Sequence, residues 1–417
     1  MYYEQFDRIE IMKEKKVCVI GLGYIGLPTA ALLANNGFSV IGVDINLDVV
    51  SKINEGKIQI IEPDLDQFIK SVISKGQLKA QSTVSCSDVY VICVPTPLKE
   101  NDKIPSPNID HVLTATRNIA QFIKSGDLII LESTSPVGTT KKIQEILIDC
   151  GVNLTDVHIA YCPERVLPGK IMTELIKNDR IVGGLSIKAT KIIKDFYSLF
   201  VSGKIYETDA KTAEMCKLAE NSYRDLNVAF ANELSMICDK QKINIWNLIE
   251  LANKHPRVNI LQPSTGVGGH CIAIDPWFLI SQDTKNTKLI QSARKVNNQK
   301  TKWVIDKIKN ICAIHMKKTG VSPNIACLGL AFKPDIDDLR ESKAIEVAET
   351  LLTEGYNIIT VEPNIDSHAK FQLLNLSDAI DQSDIVCVLV KHKEFLASSV
   401  KDKLKKIGAL DFCGVFS

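Results

Sequence analysis

The stretch KVCVIGLGYIGLPTAALLANNGFSVIGVD, from Lys16 to Asp44, leaves the chain little choice of fold. KVCVI reads as a short strand, and Gly21, Gly23 and Gly26 follow it directly. The helix-like LPTAALLANNG comes next, then a second strand, FSVIGVD, from Phe38 to Asp44. Strand, glycine turn, helix and strand make a βαβ unit, which requires a parallel sheet covered by helices. Each glycine has a task in such a turn. Gly21 allows the tight bend, Gly23 lets the backbone approach a pyrophosphate, and Gly26 lets the helix close on the strand. The first N–H groups of the helix then face the phosphates. Asp44 ends the second strand, where an acid binds ribose hydroxyls and repels a 2′-phosphate. The pattern therefore predicts NAD rather than NADP, with Tyr24 and Ile25 of the turn as further contacts. A glycine-rich turn with no ligand is the bland alternative. The agreement of strand, glycines, helix and acid argues against it.

The strand–helix rhythm continues through DVYVICVP, DLIILES and VHIAYCP, and we place a first domain at 1–200. Two loops, VPTP and ESTSPVGTT, follow strands on the edge where open parallel sheets bind ligands. Thr96 and Thr134 are candidate cofactor or active-site groups there, with turn-capping hydroxyls as the competing reading. The middle of the chain differs. From Thr212 to about Leu251 apolar residues recur at helical spacing with no Pro or Gly, which predicts one long helix or two in tandem. A single helix of ~40 residues would span ~60 Å, enough to supply a dimer surface. More helix is expected over about Thr287–His315. After KKTGVSPN the strands IACLGL, YNIITVEP and DIVCVLV return.

The expected fold class is thus α/β in three parts. A Rossmann-like dinucleotide-binding domain covers 1–200, a central helical domain with a long helix 201–315, and a smaller Rossmann-like domain 316–417.

Composition narrows the function. A formal net charge of +1 with no dense basic run gives nucleic acid no phosphate-neutralising patch. No apolar run approaches the ~20 residues of a membrane span, and the N-terminal residues lack the apolar core of a signal peptide. The 12 cysteines show no CxxC pair and no Cys/His cluster at zinc spacing, so no metal is expected. Most sit in apolar runs, as buried thiols do in a reducing cytosol, and a cytoplasmic location is expected.

Cys271 stands apart. In GVGGHCIAIDP it follows Gly268 and Gly269, which clear side-chain bulk, and Asp275 lies four residues on. Asp275 before Pro276 also reads as the N-cap and first residue of a helix. His270 is a candidate base for the thiol, although neighbouring side chains usually diverge. Lys217 and Asn221 lie one turn apart on the central helix and share a face.

GVGGHCIAIDP, KLAENSYRDLNVAFANE, CPERVLPG and GLAFKPDIDDLRES, in this order, resemble the UDP-glucose/GDP-mannose family of nucleotide-sugar 6-dehydrogenases over essentially the whole chain. The forms GVGGHCIA and CPERVLPG look most like its UDP-N-acetylmannosamine branch. The resemblance implies four-electron oxidation of a sugar C6 alcohol to a carboxylate with two NAD. It assigns Cys271 as the nucleophile that holds the aldehyde as a thiohemiacetal and then a thioester. Lys217, beside Asn221, would stabilise the oxyanion and lower the thiol pKa. Asp275, Glu164 and Thr134 would handle the hydrolytic water. Arg165 and Val166 of the same loop as Glu164, together with Gly268 and Lys333, would meet the UDP-sugar. Arg257 would reach the substrate of a partner subunit in a homodimer or larger assembly, and Arg340 would contact the cofactor. UDP-glucose enzymes carry an aromatic residue in place of His270 and a second glutamate in place of Pro168, so plain UDP-glucose is the less expected substrate. Another UDP-hexose such as UDP-N-acetylglucosamine, a two-electron hydroxyacid dehydrogenase, and a non-catalytic nucleotide-sugar-binding protein are the alternatives. The last would have no use for both Cys271 and Lys217.

Overall fold

The computed structural model describes residues 14–417 apart from 59, 61, 100–103 and 270, so His270 lies outside the described residues. It divides into two compact units, the first ending at Ala219 and the second beginning at Glu220.

The first unit is built on strands β1 (Lys16–Ile20), β2 (Ser39–Val43), β3 (Leu78–Gln81), β4 (Val89–Ile92), β5 (Leu128–Leu131), β6 (His158–Tyr161), β7 (Arg180–Gly184) and β8 (Ile205–Asp209). They form one sheet in the order β3-β2-β1-β4-β5-β6-β7-β8. Every pairing is parallel except β6 with β7, which is antiparallel through Ala160–Gly184 and Tyr161–Gly183. Successive residues point to opposite faces, and both faces are buried. Val17, Val19, Val91 and Ile130 pack on one side; Cys18, Ile20, Ile92 and Ile129 pack on the other. That is why these strands read as unbroken apolar runs.

The second unit carries strands β9 (Asn324–Leu328), β10 (Asn357–Val361), β11 (Ile385–Val388) and β12 (Leu410–Asp411), all parallel, in the order β10-β9-β11-β12. Ile325 and Cys387 face one apolar cluster and Ala326 and Val386 the other.

The helices that matter for the site are α1 (Gly26–Asn35), α2 (Thr139–Asp149), α3 (Ala210–Gln241), α4 (Ile245–Ala252), α5 (Asp275–Gln282) and α6 (Lys288–Thr319). The predicted central helix is two in tandem. Lys242, at φ 57°, breaks the run, and the Asn244 side chain caps α4 by accepting from Trp246 and Asn247 N–H. Where α3 lies within the second unit it packs on α6 through a buried polar set. Arg294 pairs with Asp225 at 2.6 Å, and Asn297 donates to Asp225 and accepts from Asn232. Among the described residues no helix is long and apolar enough to cross a membrane.

Candidate active site

The glycine turn has the shape its sequence predicts. Gly21 sits at φ 92°, and a Cβ on Gly26 would lie 1.7 Å from the Gly21 carbonyl oxygen. Only glycine lets α1 start this close to β1. Nothing lies within 4 Å of where a Cβ on Gly23 would point, which leaves the backbone open to a phosphate. No side chain caps α1, whose N-cap position is Ile25. Its first N–H groups therefore suit an anion. Asp44 is half-buried; Oδ2 accepts from Leu22 N–H at 3.0 Å and Oδ1 from Asn46 N–H at 2.9 Å. Each carboxylate oxygen keeps a further lone pair, so ribose hydroxyls can still be bound. These residues fit NAD.

The two loops beside the turn are tied together. Thr96 Oγ1 donates to the Thr134 carbonyl at 2.6 Å, and Ser133 Oγ donates to the Val94 carbonyl at 2.7 Å. The Thr96 hydroxyl thus serves the loop itself, while Thr134 is half-buried. Just before it, buried Glu132 accepts from Tyr197 OH, and Cys93 Sγ approaches its Oε2 at 3.2 Å. Burial, with the Glu132 charge beside it, pushes the Cys93 thiol far up and makes it inert.

Glu164 follows β6 and is buried, its carboxylate accepting from Val166 N–H. Burial raises its carboxyl pKa against the pull of Lys217 and Arg180. The loop it heads is pinned along its length. Arg165 donates to the Asp179 carbonyl, Glu174 accepts from Leu167 N–H, and Glu62 accepts from Gly169 and Ile171 N–H. Lys217, on the second turn of α3, is 8% exposed and donates Nζ to the Glu164 carbonyl at 2.5 Å. Glu214, one turn earlier, was not singled out by sequence. Its buried carboxylate accepts from Gly138 N–H, Thr140 N–H and Thr140 Oγ1, all at the start of α2. It fixes the height of α3, and so of Lys217, against the loop bearing Thr134.

In the second unit Cys271 is exposed, whereas Cys238, Cys312, Cys327, Cys387 and Cys413 are buried. Burial lifts the Cys312 thiol to about 11 and the Cys327 thiol to about 12. The Cys271 carbonyl accepts from Ile274 and Asp275 N–H, a tight turn that leads into α5. Here the capping expectation is corrected. Asp275 is the first residue of α5, Ile274 occupies the N-cap position, and no side chain caps the helix. The Asp275 carboxylate instead accepts from the Asn221 side-chain amide at 2.5 Å. A long-range partner has taken the group that a local cap would have used. The glycines before Cys271 have a further cause. A Cβ on Gly268 would lie 2.4 Å from the Glu341 carbonyl, and one on Gly269, at φ 80°, 2.6 Å from the Phe332 ring. The backbone is pressed against the loop that carries Lys333. Lys333 is half-buried in that loop, and Arg340 pairs with Asp338 at 2.6 Å. Arg257 is exposed, in the turn after α4.

A parallel sheet with an NAD-shaped glycine turn, a buried lysine beyond its carboxyl edge and an exposed thiol ahead of an aspartate define an NAD-dependent oxidoreductase. The chain belongs to the UDP-glucose/GDP-mannose dehydrogenase family. The models for that family's NAD binding, central and UDP binding domains match residues 15–201, 211–299 and 326–417. It is 51% identical to the UDP-N-acetyl-D-mannosamine dehydrogenase of Campylobacter jejuni, over 91% of this chain and 96% of the other. It is 45% identical to an NDP-N-acetyl-D-galactosaminuronic acid dehydrogenase of Ralstonia nicotianae, over 99% of this chain and 98% of that one. Among solved structures it is similar to the UDP-D-ManNAc dehydrogenase of Pyrococcus horikoshii, with TM-score 0.87, 37% identity and 96% of each chain covered.

Proposed function

We propose that this protein oxidises the C6 alcohol of UDP-N-acetyl-D-mannosamine to the carboxylate, in two hydride-transfer steps and one hydrolysis. The names of its relatives support the sugar. The observation that carries the chemistry is an exposed Cys271 one turn ahead of an Asp275 whose carboxylate is held by Asn221. NAD, bound at Gly21, Gly23, Gly26 and Asp44, is the hydride acceptor for each oxidation.

Lys217 directs its ammonium at the oxygen that becomes negative as the alcohol and then the hemiacetal are oxidised. The Cys271 thiolate adds to the aldehyde carbon, so the intermediate stays attached to the protein. Loss of the second hydride leaves a thioester on Sγ. Water adds to its carbonyl, the C–S bond breaks, and carboxylate and thiolate are released. Thr134 and Glu164 orient that water, and the Asp275 carboxylate accepts its proton. Arg165, Val166, Gly268 and Lys333 contact the nucleotide-sugar, and Arg340 the cofactor.

The division at 1–200, 201–315 and 316–417 is the functional organisation we favour, supported by the extents of the three family matches. Tyr223, Phe230 and Ile237 recur every seven residues along α3 and are 69%, 49% and 52% exposed. That stripe supports a homodimer or larger assembly, in which exposed Arg257 would serve the partner's substrate. The buried, reduced cysteines support a cytoplasmic location.

The test is NADH formation against a panel of UDP-sugars. Two NADH per UDP-N-acetylmannosamine is expected, and Cys271→Ser is expected to stop before the acid. One NADH per sugar with free aldehyde would contradict the mechanism. Preferred turnover of UDP-N-acetylgalactosamine would favour a second reading, which the likeness to the Ralstonia protein motivates.

A further inference from the structure

The second unit repeats three hydrogen bonds of the first unit's glycine turn. Gly329 follows β9 at φ 91°, as Gly21 follows β1 at φ 92°. Gly329 N–H donates to the Val361 carbonyl at 2.8 Å, as Gly21 N–H does to the Val43 carbonyl at 2.8 Å. Glu362 ends β10 where Asp44 ends β2. Its Oε2 accepts from Leu330 and Ala331 N–H at 2.7 and 2.9 Å, and its Oε1 accepts from Asn364 N–H at 3.0 Å. Asp44 treats Leu22 and Asn46 in the same way.

The two copies part within the turn, where Ala331 and Pro334 stand in place of Gly23 and Gly26, and again after β4 and β11. Where the first unit has Thr96 after β4, the second has His392 after β11, and this imidazole is fully buried. Its Nδ1 accepts from Asp335 N–H at 3.0 Å, a donor that cannot be reversed. The ring proton is therefore on Nε2, which donates to Glu362 Oε2 at 3.0 Å. The acid that in the first unit keeps lone pairs for a ribose is here buried to 4% exposure and closed off. The cluster of Asp335, His392 and Glu394 offers no cation an imidazole lone pair, because the backbone has taken it.

The same bonds reach a single short span. Glu362 holds Ala331 by its N–H, and His392 holds Asp335 by its N–H. Asp335 is pinned again from its side chain, which accepts from Lys393 N–H at 2.9 Å. Between the two anchors lie Phe332, Lys333 and Pro334. We propose that His392, acting with Glu362, is the positioning residue for Lys333, fixing both ends of its loop so that the lysine meets the nucleotide end of the substrate. This rests on the reading above that Lys333 is a substrate contact. The glycine turn of the second unit is thereby a rigid mount for a substrate loop and not a second dinucleotide site.

The test compares His392→Phe, His392→Gln, Glu362→Gln and Lys333→Ala in the full chain. Steady-state KM for UDP-N-acetylmannosamine and for NAD, kcat, UDP affinity by calorimetry and Tm are measured for each. His392→Phe keeps a planar ring and loses the hydrogen bonds to Asp335 N–H, the Asn364 amide and Glu362. It is expected to raise the UDP-sugar KM and weaken UDP by about tenfold, the scale of a misplaced binding group, with NAD KM and kcat near wild type. His392→Gln keeps a donor for Glu362 and is expected to rescue part of the loss. A variant that lowers Tm and kcat together while leaving the UDP-sugar KM unchanged would mark a purely structural role and overturn the proposal. If His392→Phe does not fold, His392→Gln and Glu362→Gln decide on the same readouts. Lys333→Ala separates the two levels. If it leaves the UDP-sugar KM and UDP affinity unchanged, the reading of Lys333 fails and takes this inference with it. If it raises KM while the His392 and Glu362 variants do not, this inference alone falls.

Discussion

Lys217 donates its ammonium to the main-chain carbonyl of Glu164 at 2.5 Å. One of its three N–H groups is thus spent on the loop that follows β6, which anchors the ammonium. The remaining donors can serve an oxyanion without the cost of ordering a free lysine. Lys217→Ala is expected to lower kcat by about 10²–10³-fold, the range for loss of one oxyanion donor, with a smaller change in substrate KM. Steady-state kinetics check this. A loss of only a few-fold would remove Lys217 from the chemistry.

The Gly26 contact gives a sharper steric test. A methyl group there would meet the Gly21 carbonyl oxygen at 1.7 Å, and backbone on both sides cannot yield cheaply. Gly26→Ala is expected to cost about 1–3 kcal/mol or more, as overpacking does. It should appear as weakened NAD binding in a fluorescence titration, or as a lowered Tm. Gly23→Ala, with open space at its Cβ, should leave Tm unchanged and weaken NAD alone.

Glu362 predicts a pH dependence. Burial alone would raise its carboxyl, but the hydrogen bonds it accepts from His392 Nε2–H, the Leu330 N–H and the Asn364 amide outweigh burial and hold the pKa at about 2, against an ordinary 4.5. A carboxylate depressed in the folded state stabilises it fully above the unfolded pKa. That stability is lost as pH falls from 4.5 towards 2. The contribution is on the order of 3 kcal/mol, from about 1.4 kcal/mol per pKa unit. Denaturant titrations from pH 6 to pH 2.5 should show Glu362→Gln losing less stability than wild type as the acid range is crossed. Parallel curves for the two proteins would refute this.

Asp225 and Arg294 form an ion pair with 0% and 3% side-chain exposure. Removing one partner leaves the other charge buried, so Arg294→Met or Asp225→Asn should cost about 3–5 kcal/mol. Combining Asp225→Leu with Arg294→Met in one protein is expected to recover most of it, since the desolvation of both charges disappears together. Urea unfolding of the three variants measures both effects. Single changes costing under about 1 kcal/mol would show the pair to be solvated.

What could be read directly from the residues was what is local. Strand, glycine turn, helix and Asp44 lie within one stretch, and each residue type answers a need of its immediate neighbours. β7 and β8 escaped notice because RIVGG is rich in glycine and IYETD, at the sheet edge, is mostly exposed and lacks an apolar run. Asp275 reads as a cap from its neighbours alone, because its actual partner, Asn221, is 54 residues away. Glu214 gives no local signal either. A glutamate three residues before a lysine on a helix looks like a surface pair, yet its partners are the N–H groups that open α2, more than 70 residues earlier. His392 sits in the bland string VKHKEF, and only the folded chain brings it to Glu362.

The antiparallel step from β6 to β7 has a consequence for Lys217. Because β8 runs with β7, it carries the chain downward, away from the rim where β5 and β6 end, and leaves Asp209 level with Gly184. Helix α3 must then climb, and ~10 Å of ascent separates Ala210 from Lys217 at 1.5 Å per residue. The climb brings Glu214 to the start of α2 and Lys217 to Glu164. Had β7 and β8 followed the direction of their neighbours, the chain would have left at the rim and the helix would have descended. The lysine would then have finished on the wrong side of the sheet. One U-turn in an otherwise one-way sheet sets the heading of the helix that bears the ammonium.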